Sequence, residues 1–381
     1  MLAIPWLPDY TTPHTCPVAP FSPGGFPVHP ALPIPDPIPA PAPLFHVLEL
    51  IFFGLHILLI NVLLGGSLIT LGARIWRTAS GPRTAEAIAH KLPVIFALAV
   101  NAGVATLLFL QVLYGHLFYA SSILIGTYWI LVIPAIVIAY YSCYALVRSS
   151  SSRLRAFASG CTSLVLLSIA FVLVTNMLTM LRPDTWDVYF NDRVGAVWKI
   201  PDPSFFPRYL HFVVASVAIA GLFSAGVWSY RRNHGVDGSA RMINRGLSIF
   251  GSATIVQIGV GIWFLTSLKQ EYLTQFIGRN VVATISIWLG FLCAVASIAS
   301  AFARQFRPAV IMVSITIVAM IIVRDELRTI YLRGVFDPSS LAVVPQFDVL
   351  TIFSLALLIG VGIVIWMLRA GFRAESGRAA P

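Results

Sequence analysis

Nine apolar stretches dominate this chain: residues 44–73, 92–115, 123–147, 157–180, 207–229, 244–267, 281–303, 308–331 and 348–369. A helix needs roughly 20 apolar residues to cross a bilayer, and each stretch meets or exceeds that length. The expectation is an all-α, polytopic membrane helix bundle of about nine transmembrane helices. Composition agrees. Of 381 residues, 58% are hydrophobic and 10% charged, and the mean hydropathy is +0.85. Soluble domains carry about 25% charged residues, so a soluble globular enzyme is excluded. The lipid bilayer is the first partner.

Formal net charge is +10, yet no basic run supports nucleic acid as a partner. The excess lies in short loops between spans, as the positive-inside rule expects. Taking alternate connections from 74–91 onward, one side collects Arg74, Arg77, Arg83, Lys91, Arg148, Arg153, Arg155, Arg231, Arg232, Arg241, Arg245, Arg304, Arg307, Arg369, Arg373 and Arg378. Only Glu86, Asp237 and Glu375 oppose them there. The bias predicts an N-terminus outside and a C-terminus in the cytoplasm, which suits a multi-pass protein of a bacterial inner membrane. Three regions follow: a Pro-rich segment 1–43, a nine-helix domain 44–370 and a tail 371–381. The Pro-Xaa alternation from Pro30 to Pro43 predicts extended polyproline II. It contains no Lys or Arg, so it lacks the basic start of a signal peptide and is expected to be retained outside the membrane. Four cysteines form no CxxC or CxxCH, which argues against a disulfide framework and covalently attached haem.

Ionisable groups inside hydrocarbon are rare and mark function by default. Span 44–73 opens with His46 and Glu49, and His56 lies about 12 residues in, roughly 18 Å at 1.5 Å per residue. Asn101 is near mid-depth of the next span, with Gln111 and His116 towards the outer face. Asn176 closes span 157–180, His211 stands one turn inside span 207–229, and Arg324, Asp325, Glu326 and Arg328 end span 308–331. Nearly every unusual polar group therefore falls in the outer half, which argues against an ion path through the full thickness. A membrane histidine either ligates haem iron or hydrogen-bonds a quinone or a neighbouring helix. His56 and His211 are the candidate iron ligands, while His46 and His116 sit near headgroup depth. Arg324 and Arg328, at i and i+4, leave one helix face. That pair either holds haem propionates or a quinol head group, or is neutralised by its two acidic neighbours. Residues 181–206, with Trp186, Tyr189 and Trp198, suggest an interfacial lid or docking surface.

Residues 55–71 (LHILLINVLLGGSLITL) and 96–115 (FALAVNAGVATLLFLQVLYG) resemble the first two helices of subunit I of the cytochrome bd quinol oxidases. The family's Gly-Val-Thr-Thr…Gln-Phe-Gly pattern is similar to Gly103-Val104-Ala105-Thr106…Gln111-Val112-Leu113-Tyr114-Gly115. Leu173-Val174-Thr175-Asn176 is similar to its Leu-Val-Ala-Asn. Tyr209-Leu210-His211-Phe212-Val213-Val214-Ala215-Ser216 resembles the start of its fifth helix, where a His ligates haem b. The resemblance covers roughly the first 230 residues. The run also looks like that of bd-like membrane b-cytochromes with a Pro-rich lead. It implies one or two haem b groups on His56 and His211, with Gln111, His116 and Asn176 lining cofactor sites. Departures matter too. Span 123–147 lacks the glutamates that oxygen-reducing members place at their high-spin haems, and residues 267–280 are too short for the long quinol loop. The expected activity is therefore that of a quinol dehydrogenase, not an O₂-reducing oxidase. Quinone or quinol is the substrate, and electrons pass to a periplasmic c-type cytochrome or another redox subunit. Glu49, Arg324 and Arg328 are the candidate catalytic residues. Two rivals remain open: a haem-free quinone-binding membrane anchor, and a transporter, which the lack of internal repeats disfavours.

Overall fold

A computed structural model of the protein describes residues 32–75, 81–186 and 202–377. Eight helices there are long and apolar enough to cross a membrane. They are α1 (Ala42–Ile75), α3 (Leu92–Leu124), α4 (Gly126–Arg148), α5 (Ser152–Leu181), α6 (Phe205–Asn233), α7 (Ser239–Thr266), α9 (Val281–Phe302) and α10 (Phe306–Leu332). Short helices α2 (Gly81–Ala89) and α8 (Gln270–Leu273) fill two connections. The last helix, α11 (Phe347–Gly377), has a shorter apolar part, Phe347–Ile363. No strand occurs among the described residues. The architecture is a polytopic helical membrane bundle. Its outward surfaces are apolar, as at Ile130, Leu292 and Leu358, each more than 60% exposed, which suits contact with acyl chains.

Several boundaries differ from the hydropathy pattern. Helix α3 continues past residue 115 to Leu124 because a kink at Tyr114 (φ −129°, ψ 22°) redirects the chain without ending it. Helix α1 already begins at Ala42, at the end of the Pro-rich segment. Helix α11 runs on to Gly377, through most of the expected tail. Residues 1–31, which hold most of the Pro-rich segment, lie outside the described residues, as do 187–201 with Tyr189 and Trp198. The described part, 32–41, is extended. Ile38 donates its N–H to the Ala342 carbonyl (2.8 Å), Val344 donates to the Ile38 carbonyl (2.9 Å), and Gln346 donates to the Pro39 carbonyl (3.1 Å). This backbone strap puts the start of α1 and the connection between α10 and α11 at one end of the bundle.

Between helices in lipid there is little hydrophobic drive, so association relies on close packing and polar contacts. Helix α1 meets α3, α5, α6 and α10, and its closest approach is to α6. A Cβ on Gly65 would lie 1.8 Å from the Ser216 carbonyl oxygen. Helices α6 and α7 interlock similarly, since a Cβ on Gly246 would lie 2.7 Å from the Gly221 carbonyl oxygen. Ser163 donates to Ser67 at 3.2 Å, joining α5 to α1. At Gly65, and where Gly221 meets Gly246, the missing side chain lets two helices approach at backbone distance.

Gly65→Val should sharply reduce recovery of monodisperse protein in detergent and lower its melting temperature. Overpacking costs about 1–3 kcal/mol where side chains can yield, and here the obstacle is backbone. Gly160→Ala, where a Cβ meets nothing within 4 Å, should leave both unchanged. Equal behaviour of the two variants would contradict the close approach of α1 and α6.

Candidate functional site

The polar side chains that the sequence distributes over several spans converge at the end of the bundle marked by the Ile38 strap. The first group lies between α1, α3 and α10. Glu49, three residues after His46 near the start of α1, is fully buried. Arg328, at the end of α10, is almost as deep. Its Nη1 donates to Glu49 Oε1 (3.1 Å) and its Nη2 to Oε2 (2.9 Å). This is the bidentate form that makes an Arg–carboxylate pair strong and directional. Nη2 of Arg328 also contacts Asp325. Asp325 accepts from His46 Nε2 (2.8 Å). Arg324 reaches Glu49 at 3.5 Å and stacks over Phe53, with its guanidinium carbon 3.8 Å from the ring centre. The guanidinium of Arg328 lies 4.5 Å from the Tyr114 ring centre, so the α3 kink presents an aromatic face to it.

Two carboxylates and two guanidinium groups balance. A carboxylate only accepts, so His46 Nε2 carries the proton in its bond to Asp325, and the half-exposed His46 ring forms the outward member of the chain. His46, Glu49 and Asp325 bring their ligand atoms within 4.8 Å of one another. Both Glu49 oxygens are already held by guanidinium, however, and a cation there would have to displace Arg328. The arginines occupy the role a metal would play. Glu326 turns away and accepts from Asn280 Nδ2 (2.7 Å), tying α10 to α9.

His56 and His211 pack against different neighbours. His56 Nδ1 is 2.9 Å from the Ala99 carbonyl of α3. A carbonyl only accepts, so Nδ1 bears the proton and Nε2 keeps its lone pair. The ring rests on Gly103, whose Cβ, if present, would lie 2.8 Å from His56 Cε1. Gly103 is thus the space for the imidazole. His211, on α6, faces α7, where a Cβ on Gly261 would lie 3.3 Å from its Cε1. Its Nδ1 is sealed from solvent and has no partner.

The remaining expected site residues are spread along the same end. His116 lies beyond the kink and stacks edge-on against Phe336 at 4.3 Å. Gln111 is half-buried one turn before it on α3. Asn176 is buried, donates from Nδ2 to Ser122 Oγ (3.2 Å), and leaves Oδ1 without a partner. At the rim, Arg182 binds Asp184 (Nη2–Oδ2 2.9 Å) and Asp202 (Nη1–Oδ2 2.8 Å). It thereby joins the end of α5 to the approach of α6. The Arg182 hydrogen bond holds the Asp184 carboxyl below the usual carboxylate range. Sequence reasoning missed the Glu49–Arg328 pair, the His46–Asp325 contact, the aromatic faces of Phe53 and Tyr114, and Arg208. Only Arg208 had a local signal, a cation in the first turn of an apolar span, three residues before His211.

Removing one partner of a buried ion pair costs about 3–5 kcal/mol, because the other charge is left uncompensated. Arg328→Gln should therefore lower the melting temperature in detergent more than the double variant Glu49→Gln/Arg328→Gln does. A double variant as unstable as the sum of the two single ones would show that the groups are not coupled.

No protein-family model matches the chain, and a search of curated proteins found no match.

Proposed function

We propose that this protein is a membrane b-type cytochrome subunit of a respiratory electron-transfer complex. It oxidises quinol near the outer face of a bacterial inner membrane and delivers electrons to a periplasmic c-type cytochrome or partner subunit. One observation carries the reading: the His56 imidazole, its Nδ1–H held by the Ala99 carbonyl and its Nε2 lone pair with no hydrogen bond among the described residues. This is how iron- and zinc-ligating histidines are oriented by their surroundings. The orphaned Nδ1 of His211 provides a second nitrogen in want of a partner. Both histidines offer nitrogen donors that fit haem b, His56 between α1 and α3 and His211 between α6 and α7. Haem b there would supply one-electron carriers for the two electrons of a quinol.

The chain's own residues then have distinct tasks. Arg324 is held by Glu49 only at 3.5 Å, so its guanidinium retains donors to orient a quinol oxygen. His46 is half-exposed, and its Nδ1 faces away from the Asp325 bond. It takes up a quinol proton as the electron leaves, and Asp325 stabilises the imidazolium that forms. Arg328 keeps Glu49 ionised in place as the fixed counter-charge, so it positions Arg324 rather than exchanging protons. The proton is released on the side to which the Ile38 strap belongs. The loop charges support placing that side outside.

A reduced-minus-oxidised spectrum of the purified protein should show b-type bands. His56→Ala and His211→Ala should each remove part of the haem while the protein still inserts. Quinol-driven O₂ uptake should be negligible, since α4 carries no carboxylate to serve an oxygen site. A featureless spectrum would replace this reading with a haem-free anchor, and rapid O₂ uptake would contradict the dehydrogenase assignment.

A further inference from the structure

Towards the start of α6 and the end of α7, Arg208 Nε and Nη2, His211 Nδ1 and Gln257 Oε1 are sealed inside the bundle with no partner; Ser224 Oγ and Trp228 Nε1, likewise unpartnered, lie further along α6. Arg208 and His211 are i and i+3, so they share a face of α6 about 4.5 Å apart along its axis. The same helix α7 confronts both. The Arg208 guanidinium carbon is 4.9 Å from the Phe264 ring centre and 5.8 Å from that of Tyr331 on α10. His211 abuts Gly261 and lies 6.4 Å from Phe264. Gln257 stands one turn before Gly261. Among the described residues no carboxylate comes within 4 Å of Arg208. Asp202, the acid closest in sequence, is engaged by Arg182 at 2.8 Å.

A guanidinium in the membrane domain without a counter-charge is costly. Arg328 has Glu49 and Asp325 in direct contact, whereas Arg208 has two ring faces, a hydrogen bond with the Tyr331 hydroxyl and only the more distant charge of Asp202. Those rings accommodate its flat faces and leave the edge free. That edge carries Nε–H and Nη2–H side by side, the fork that binds the two oxygens of a carboxylate. From these contacts we infer that Arg208 binds a carboxylate of the ligand held at His211, and that Gln257 accepts a hydrogen bond in the same cleft. The inference rests on the haem reading above: the carboxylate is a propionate of the haem whose iron His211 ligates. Arg208 is a positioning and charge-setting residue, not a catalytic one.

The test compares wild type, Arg208→Gln, Arg208→Lys and His211→Ala as full-length protein in lipid nanodiscs. Haem content, spectroelectrochemical titration and bound phospholipid are measured for each. Loss of the cation should favour the ferric state of one haem at least tenfold, a shift of 59 mV for one electron. It should be the haem that His211→Ala removes. Arg208→Lys, which keeps the charge but not the fork, should restore most of the shift. If Arg208→Gln releases that haem altogether, retention in Arg208→Lys supports the same conclusion. Unchanged content and titration in Arg208→Gln would overturn the inference and leave the haem reading standing. So would a change confined to the haem that depends on His56, or a loss of bound phospholipid alone, which would make the ligand a headgroup phosphate. A wild type without haem would overturn both.

Discussion

The bidentate pair between Glu49 and Arg328 is the contact on which the polar end of this bundle depends. It joins the second turn of the first helix to the last turn of the eighth long one, and both members are almost fully buried. Everything polar nearby is arranged around it. Asp325 shares Arg328 and holds His46, Arg324 shares Glu49 Oε1 with Arg328, and the Tyr114 ring from α3 lies against the Arg328 guanidinium. A buried ion pair of this kind contributes little net stability compared with well-packed apolar residues. Its value lies in selecting one arrangement, since any other register of α1 against α10 leaves charges unpaired in lipid.

Close backbone approach complements the pair. At Gly65 and Ser216, and again at Gly221 and Gly246, the helices touch main chain to main chain. The contact geometry therefore depends on the absence of side chains. These contacts position the histidines: Gly103 clears room for His56, and Gly261 does so for His211. The same residue type serves packing and site construction, because a flat ring and a neighbouring helix make similar demands on space.

Much of the fold was legible in hydropathy alone, because each spanning helix must satisfy its own backbone and so appears as a long apolar run. Boundaries were less legible. The α3 kink at Tyr114 leaves no gap in apolar character, so nothing local marks it. The site was legible only in part. Clustering of ionisable groups towards one end followed from their depths in successive spans, and Arg324 and Arg328 were readable as one helix face. Their partner was not, because Glu49 lies 279 positions away in the chain. The acids next to the arginines in sequence suggested local neutralisation, and they divide instead: Asp325 joins the cluster and Glu326 goes to Asn280. Such divisions follow from helix geometry, in which i+3 and i+4 neighbours meet while i+1 and i+2 do not.

The length of that loop has a consequence for biosynthesis. Helix α1 enters the bilayer early, and at about 5–20 residues per second the ribosome needs roughly 14–56 s to reach position 328. Throughout that interval Glu49 has neither of its arginines, and the Ile38 segment has no Ala342 or Val344 to pair with. Both closures join the chain's beginning to nearly its last spanning segment. This polar end of the bundle is therefore finished by a late clasp, and a product truncated before Arg328 carries an unpaired acid on α1 as a mark of incompleteness.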